Sequence, residues 1–137
     1  MLIRPFSPPD TPIARDLLRQ LGYEVAAAEL GARIERVLAA TDHYAAIAEE
    51  GGQVAGLLHV FERPALEKPC EAVVQAIVVD ATRRGHGIGK ALMETAEAWA
   101  RSRGLGSVVL STRNAAAFYT QLGYSKVATS DLMRKAI

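Results

Sequence analysis

An α/β (α+β) fold with a mixed central sheet, in one domain over residues 1–137, is what this sequence predicts, on three observations. Short apolar runs alternate with longer runs in which apolar residues recur every three or four positions, so strands and amphipathic helices are interleaved. The stretch 71–111 reads as strand, glycine-rich turn, helix and strand, which is a parallel crossover of the right-handed kind. No repeat, low-complexity segment or long linker divides the chain, and 50% of its residues are hydrophobic, enough for one core.

Leu2 to Phe6 reads as the first strand. Ser7-Pro8-Pro9-Asp10 is a turn, with Asp10 or Thr11 as helix cap before Pro12. Ile13, Leu17, Leu18 and Leu21 share one helical face, and Gly22 ends that helix. A second helix, about Ala26 to Ala40, carries the stripe Leu30, Ile34, Val37 and Leu38. Both stripes are assigned to core. Tyr44 to Ala48 and Val54 to Phe61 are strands around the hairpin signal Glu50-Gly51-Gly52-Gln53. A proline-bearing loop, Arg63 to Pro69, leads to a third long strand, Glu71 to Val79. A helix follows from about Gly87 to Arg103, then a strand from Ser107 to Ser111. Asn114 to Leu122 is a short helix stopped by Gly123. Tyr124 to Val127 and Leu132 to Arg134 are read as closing strands. The predicted order is β-α-α-β-β-β-α-β-α-β(-β).

Composition narrows the classes of function. A formal net charge of +1 argues against a general nucleic-acid binder, and no nucleic-acid partner is expected. The single Cys70 cannot form an internal disulfide, which suits a reducing cytoplasm, and at the start of a strand it reads as inert. No apolar run is long enough to span a bilayer and no signal segment opens the chain, so no membrane is expected. Nor is a metal.

The informative stretch runs from Val78 to Leu92. An apolar strand, a basic glycine-rich turn and a helix start make an anion site, because free amides and the positive end of the helix dipole converge there. A Walker A loop fails on spacing, since Gly89-Lys90 is followed by Ala91 and position 84 is Arg. A dinucleotide fingerprint fails too, because Gly85, Gly87 and Gly89 leave the last interval one residue short. Arg84-Gly85-His86-Gly87-Ile88-Gly89 does match an Arg/Gln-x-x-Gly-x-Gly/Ala signature. A second block, Asn114-Ala115-Ala116-Ala117-Phe118-Tyr119-Thr120-Gln121-Leu122-Gly123-Tyr124, follows one helix and one strand later.

In these two blocks, their separation and the element order over nearly the whole chain, the sequence resembles the GNAT superfamily of acyl-CoA-dependent N-acetyltransferases. The resemblance implies acetyl-CoA as co-substrate, its pyrophosphate on the amides of Arg84, Gly85, His86, Gly87, Ile88 and Gly89, with the Lys90 and Ala91 amides at the helix start. Arg83, Arg84 and Lys90 would add positive charge, although Arg83 and Lys90 also fit solvated surface cations. It further implies that the pantetheine arm lies along the strand before the turn, held by main-chain groups of Ile77, Val78 and Val79. Tyr119 would protonate the leaving thiolate, for which a phenol of pKa about 10 is suited; packing the short helix on the sheet is the alternative. Phe118 is assigned to core. Asn114 would cap that helix, bond the pantetheine, or both.

The proton acceptor is the departure. Family members often carry a glutamate where this chain has Gln75, and an amide takes no proton. Gln75 is left an orienting role, with Glu62, Glu71, His59 or a water as candidate bases. Tyr23, Glu24, Glu29, Glu62, Glu67 and Glu71, with Arg63 and Lys68 opposing, make the expected acceptor-side loops net acidic, which would suit a cationic amine; ordinary solvated loop charges are the alternative. The expected reaction is acetyl transfer to a primary amine of a small molecule or peptide by direct attack in a ternary complex, in the cytoplasm, with a homodimer possible. A non-catalytic acyl-CoA-binding or sensing domain, or an acetyltransferase with a macromolecular target, is the alternative.

Overall fold

The computed structural model describes residues 1–137. The period-two runs form β1 (Leu2–Pro5), β2 (His43–Glu50), β3 (Gln53–Arg63), β4 (Glu71–Val79) and β5 (Val108–Val109). The helical stripes form α1 (Thr11–Gln20), α2 (Ala27–Ala39), α3 (Ile88–Ser102) and α4 (Ala116–Gln121). The strands make one sheet in the order β1-β2-β3-β4-β5, antiparallel except for the parallel β4–β5 pair. The hairpin between β2 and β3 turns on Gly51 and Gly52, at φ 61° and 77°. Both angles lie in the left-handed region that such a turn needs.

Each face of the sheet has its own core. On one face Ala46, Leu58, Val60, Ala72 and Val74 pack under α3 through Ile88, Leu92, Met93 and Ala96. On the other, Ala45, Ile47, Leu57 and Val78 pack under α1 through Ala14 and Leu17. Full burial of a Leu or Ile side chain of this kind contributes about 1.5–3 kcal/mol. Gly56 of β3 makes the first core possible. A Cβ there would stand 3.0 Å from Leu92 Cδ1 and 3.2 Å from Ile88 Cγ2, so the bare backbone lets the first turn of α3 sit down on the sheet.

Four sequence expectations need correction. The closing strands are not formed; residues 124–137 carry no regular structure, and Val127, Leu132 and Met133 stand open to solvent. Ser125, Lys126, Thr129, Ser130 and Asp131 interrupt that stretch, so its few apolar residues cannot make a buried face. β5 is two residues rather than five, because it parts from β4 after the Val73–Val109 pair. Asn114 does not cap α4, which starts at Ala116; the Thr112 hydroxyl takes the Ala115 amide at 3.1 Å. Asp10 does not cap α1 with its side chain. It is buried instead, taking two 2.8 Å bonds from the Arg4 guanidinium and the Ser7 amide at 2.9 Å. The Arg4 bonds hold its carboxyl below the usual carboxylate range.

Candidate active site

β4 holds the site together because it has a free edge and a bulge. Its parallel partner β5 covers only Ala72 and Val73. From Val74 to Val79 the edge toward β5 has no partner strand. On the β3 side the register slips: His59 faces Ala76, and Val60 faces Val74. Gln75 is thus the extra residue of a β-bulge. Before the bulge Ala72 and Val74 point toward α3; after it Ile77 and Val79 do, and Val78 points toward α1. Gln75 and Ala76 therefore share one face, the α1/α2 face, at the place where the strand kinks.

β4 then runs into the glycine turn. Asp80 accepts the Thr82 amide at 3.2 Å, the Ala81 amide donates to the Gln20 side-chain oxygen Oε1 at 2.8 Å, and a 3-10 turn covers Ala81–Arg83. Gly85 and Gly87 have φ 84° and 81°, so any side chain would be strained at either. Gly89 is small for a different reason: a Cβ there would stand 3.2 Å from the Phe118 ring. None of the amides from Arg84 to Lys90 bonds within the protein, whereas Ala91 already donates to the Gly87 carbonyl at 3.1 Å. This is the donor set that an anionic diphosphate needs, at the positive end of a helix of 15 residues.

The basic residues there divide in two. Arg83 bonds the Glu50 carbonyl at 3.1 Å, the Glu50 carboxylate at 3.2 Å and the Gln53 amide oxygen. His86 Nδ1 lies 2.9 Å from Glu50 Oε1. Those contacts, His86 first, hold the Glu50 carboxyl below the usual range. Arg83 and His86 are thereby tied to the β2–β3 hairpin. Arg84 and Lys90 are exposed and make no ion pair or side-chain hydrogen bond.

Tyr119 is buried in the α3-side core, edge-on to Phe118 at 5.0 Å and to Tyr124 at 6.0 Å. Burial raises its pKa, which keeps the phenol protonated. Its hydroxyl bonds nothing in the protein, yet no fully enclosed side-chain polar atom lacks a partner, so the hydroxyl reaches open space. Phe118 lies over the α3 start and is more open than a core residue. Asn114 is exposed, with no side-chain bond.

The α1/α2 face of the bulge opens into a cavity of about 560 Å³. α1 and α2 supply apolar walls, and the sheet supplies His43, His59, Gln75 and Ala76. His43 Nδ1 lies 2.9 Å from His59 Nε2, and the His43 ring stacks on Phe61 at 4.9 Å. Burial, helped by His43, pushes the His59 pKa down to about 4, so this ring is neutral at pH 7.

Of the four base candidates, the structure brings only His59 to Gln75. Glu62 bonds Arg103 at the far end of α3. Glu71 bonds Lys68 at 3.1 Å and the Ser107 hydroxyl at 3.0 Å, and these hold its carboxyl low. The acidic rim is also overturned: no carboxylate lines the cavity, and its two charged side chains are Arg33 and Arg36 of α2. His43, Arg36 and Gly56 went unnoticed in the sequence. The hairpin turn at Gly51-Gly52 carried a signal for the first, since that register puts His43 two residues diagonal to His59 on one face.

Comparison with known proteins bears on the family and the fold. A model of the Acetyltransferase (GNAT) family matches residues 11–124. N-alpha-acetyltransferase 80 of Mus musculus is 42% identical over 59 residues, 43% of this chain and 19% of that protein. The chain thus matches only a small part of that relative's length. Glucosamine-6-phosphate N-acetyltransferase from Arabidopsis thaliana superposes with a TM-score of 0.83 at 26% identity, over 98% of this chain and 97% of that one. An aminoglycoside 6'-N-acetyltransferase from Acinetobacter haemolyticus shares the fold, with a TM-score of 0.86 at 19% identity over 100% and 99% of the two chains. No helix is long and apolar enough to cross a membrane, and no three His, Cys, Asp or Glu side chains gather as a metal site would need.

Proposed function

Because the chain belongs to the acetyltransferase (GNAT) family, we propose that it is an N-acetyltransferase moving an acetyl group from acetyl-CoA to a primary amine of a small molecule or peptide, by direct attack in a ternary complex. One observation carries this reading: the free edge of β4 runs from a bulge facing a cavity to a turn of unbonded amides. The amides from Arg84 to Lys90 hold the coenzyme pyrophosphate, with Arg84 and Lys90 beside them. The free edge at Ile77, Val78 and Val79 holds the pantetheine arm, and a main-chain N–H there stabilises the developing oxyanion. Asn114, whose side chain makes no bond within the protein, donates to the pantetheine arm. The side chains of Arg83 and His86 fix the turn through Glu50 rather than touch phosphate.

Acetyl-CoA, when bound, supplies the thioester carbon. Gln75 orients the amine in the cavity. The His59–His43 pair takes its proton. Without an added proton, two imidazoles sharing one hydrogen bond leave one bare ring nitrogen outside the contact, whichever tautomer holds, and a proton can cross between them. The new N–C bond forms as the C–S bond breaks, and Tyr119 gives its proton to the departing sulfur.

The similar proteins are named for different amines, an aminoglycoside and glucosamine 6-phosphate among them, so the fold does not choose the acceptor. Two measurements test the proposal. Acetyl-CoA at 100 times its dissociation constant should stabilise the protein by about 2.7 kcal/mol. Thiol should then be released from acetyl-CoA in the presence of an amine. Stabilisation without thiol release from any amine would replace this proposal with a binding or sensing role.

A further inference from the structure

The cavity beside the bulge specifies more than the presence of an amine. At about 560 Å³ it is of the size that encloses a small molecule. Its interior walls are apolar: Leu30 and Ile34 from α2 face Leu57 of the sheet. Its floor offers the polar groups His59, His43 and Gln75. No Asp or Glu lines it. A polyamine would have to bring a second ammonium into this space and leave it without a partner, which is costly in an apolar enclosure. At the mouth stand Arg33 and Arg36, one turn apart on α2 and both exposed. Arg33 is held by Glu29 at 2.8 Å. Arg36 makes no ion pair and no hydrogen bond, so it is the unspent cation of the mouth.

Resting on the acetyltransferase reading above, we infer that the acceptor is a small amphipathic amine whose apolar body fills this cavity, with the reacting amine at His59 and Gln75 and an anionic group, carboxylate or phosphate, at Arg36. The guanidinium fork suits either anion, and burial of the apolar body between α2 and the sheet provides the affinity. The buried His59 at the floor favours the uncharged amine that must attack, while the positive mouth orients the opposite end.

Matched amines test this. Hexylamine has the body alone, aminocaproate adds a carboxylate, aminohexyl phosphate adds a phosphate, and hexamethylenediamine adds a second cation. The expected order of kcat/KM puts one of the two anionic amines about tenfold above hexylamine, and the diamine below it. Which anionic amine leads tells carboxylate from phosphate. Arg36→Glu should erase that advantage and raise the diamine, and Arg36→Gln should fall between. Calorimetric titration of aminocaproate and aminohexyl phosphate into the coenzyme A complex reads the same contact without turnover, and Arg36→Glu should weaken the better one about tenfold. A wild-type preference for the diamine, or an anion preference and affinity untouched by Arg36→Glu, would overturn the inference. If no amine is acetylated, the acetyltransferase reading fails, and the titration alone decides whether this cavity binds amphipathic anions at Arg36.

Discussion

Along its free edge and into the glycine turn, β4 offers main-chain groups; on its α1/α2 face it offers side chains. The first region is made of amides that any residue would supply, provided that Gly85 and Gly87 can take their left-handed angles and Gly89 can pass under Phe118. The second depends on which residue stands where: His59 against His43, Gln75 on the bulge, Arg36 at the mouth. A ligand common to a family can be held by the backbone. A ligand particular to one protein has to be read by side chains, and the cavity is where this chain presents them.

The comparison can be broken hardest at Gly87. Gly87→Asp forces a left-handed angle on a residue that resists it and sets a carboxylate where the diphosphate belongs. Coenzyme A affinity should fall by at least about 100-fold in a calorimetric titration, roughly 2.7 kcal/mol, while the helical signal stays. Retained affinity would put the pyrophosphate elsewhere. Tyr119→Phe should keep coenzyme affinity and cost about 100-fold in kcat, as the loss of a positioned acid does. Full turnover would make Tyr119 a packing residue.

On the side-chain face, His59→Gln should cost about tenfold in kcat, less than the acid because His43 remains and an amine can lose its proton to water. The same variant has a stability signature. The His59 pKa lies near 4 in the folded chain against 6.5 ordinarily, so between those values the unfolded chain binds more protons. Stability should therefore be full above pH 6.5 and decline as pH falls toward 4, and the variant should flatten that stretch of the pH–melting curve. An unchanged slope would mean that His59 is not held neutral. The smallest effect is expected at Gly56→Ala, where an added Cβ 3.0 Å from Leu92 should lower stability by about 1–2 kcal/mol in a denaturant titration.

How much of this was legible in the sequence follows the same division. The glycine turn, the crossover around it and the α4 block were readable because glycine spacing and apolar period are local signals. The extent of β5 was not, since Ser107 to Ser111 has strand composition throughout and only the divergence from β4 ends the pairing. The cap at Asn114 was misread because a hydroxyl two residues earlier takes the amide. The acidic rim was misread because most of the carboxylates counted there are tied to neighbouring cations: Glu24 to Arg19, Glu29 to Arg33 beside the cavity mouth, Glu62 to Arg103 and Glu71 to Lys68. Charge in a loop says nothing of the direction in which it points. The His59–His43 pair needed the hairpin register, shifted once between Ala48 and Glu49, before two distant histidines became neighbours.

The bulge at Gln75 leaves the protein one place where its sheet can change length. A residue lost from most of β4 would turn every following side chain to the wrong face. A residue lost at position 75 would not, because Val74 and Ala76 already point to opposite faces and would simply become neighbours in a regular ladder. The buried residues on both sides would keep their partners, and only the kink and the Gln75 amide would vanish. The fold thus carries Gln75 as an insertion, added to a strand that is complete without it.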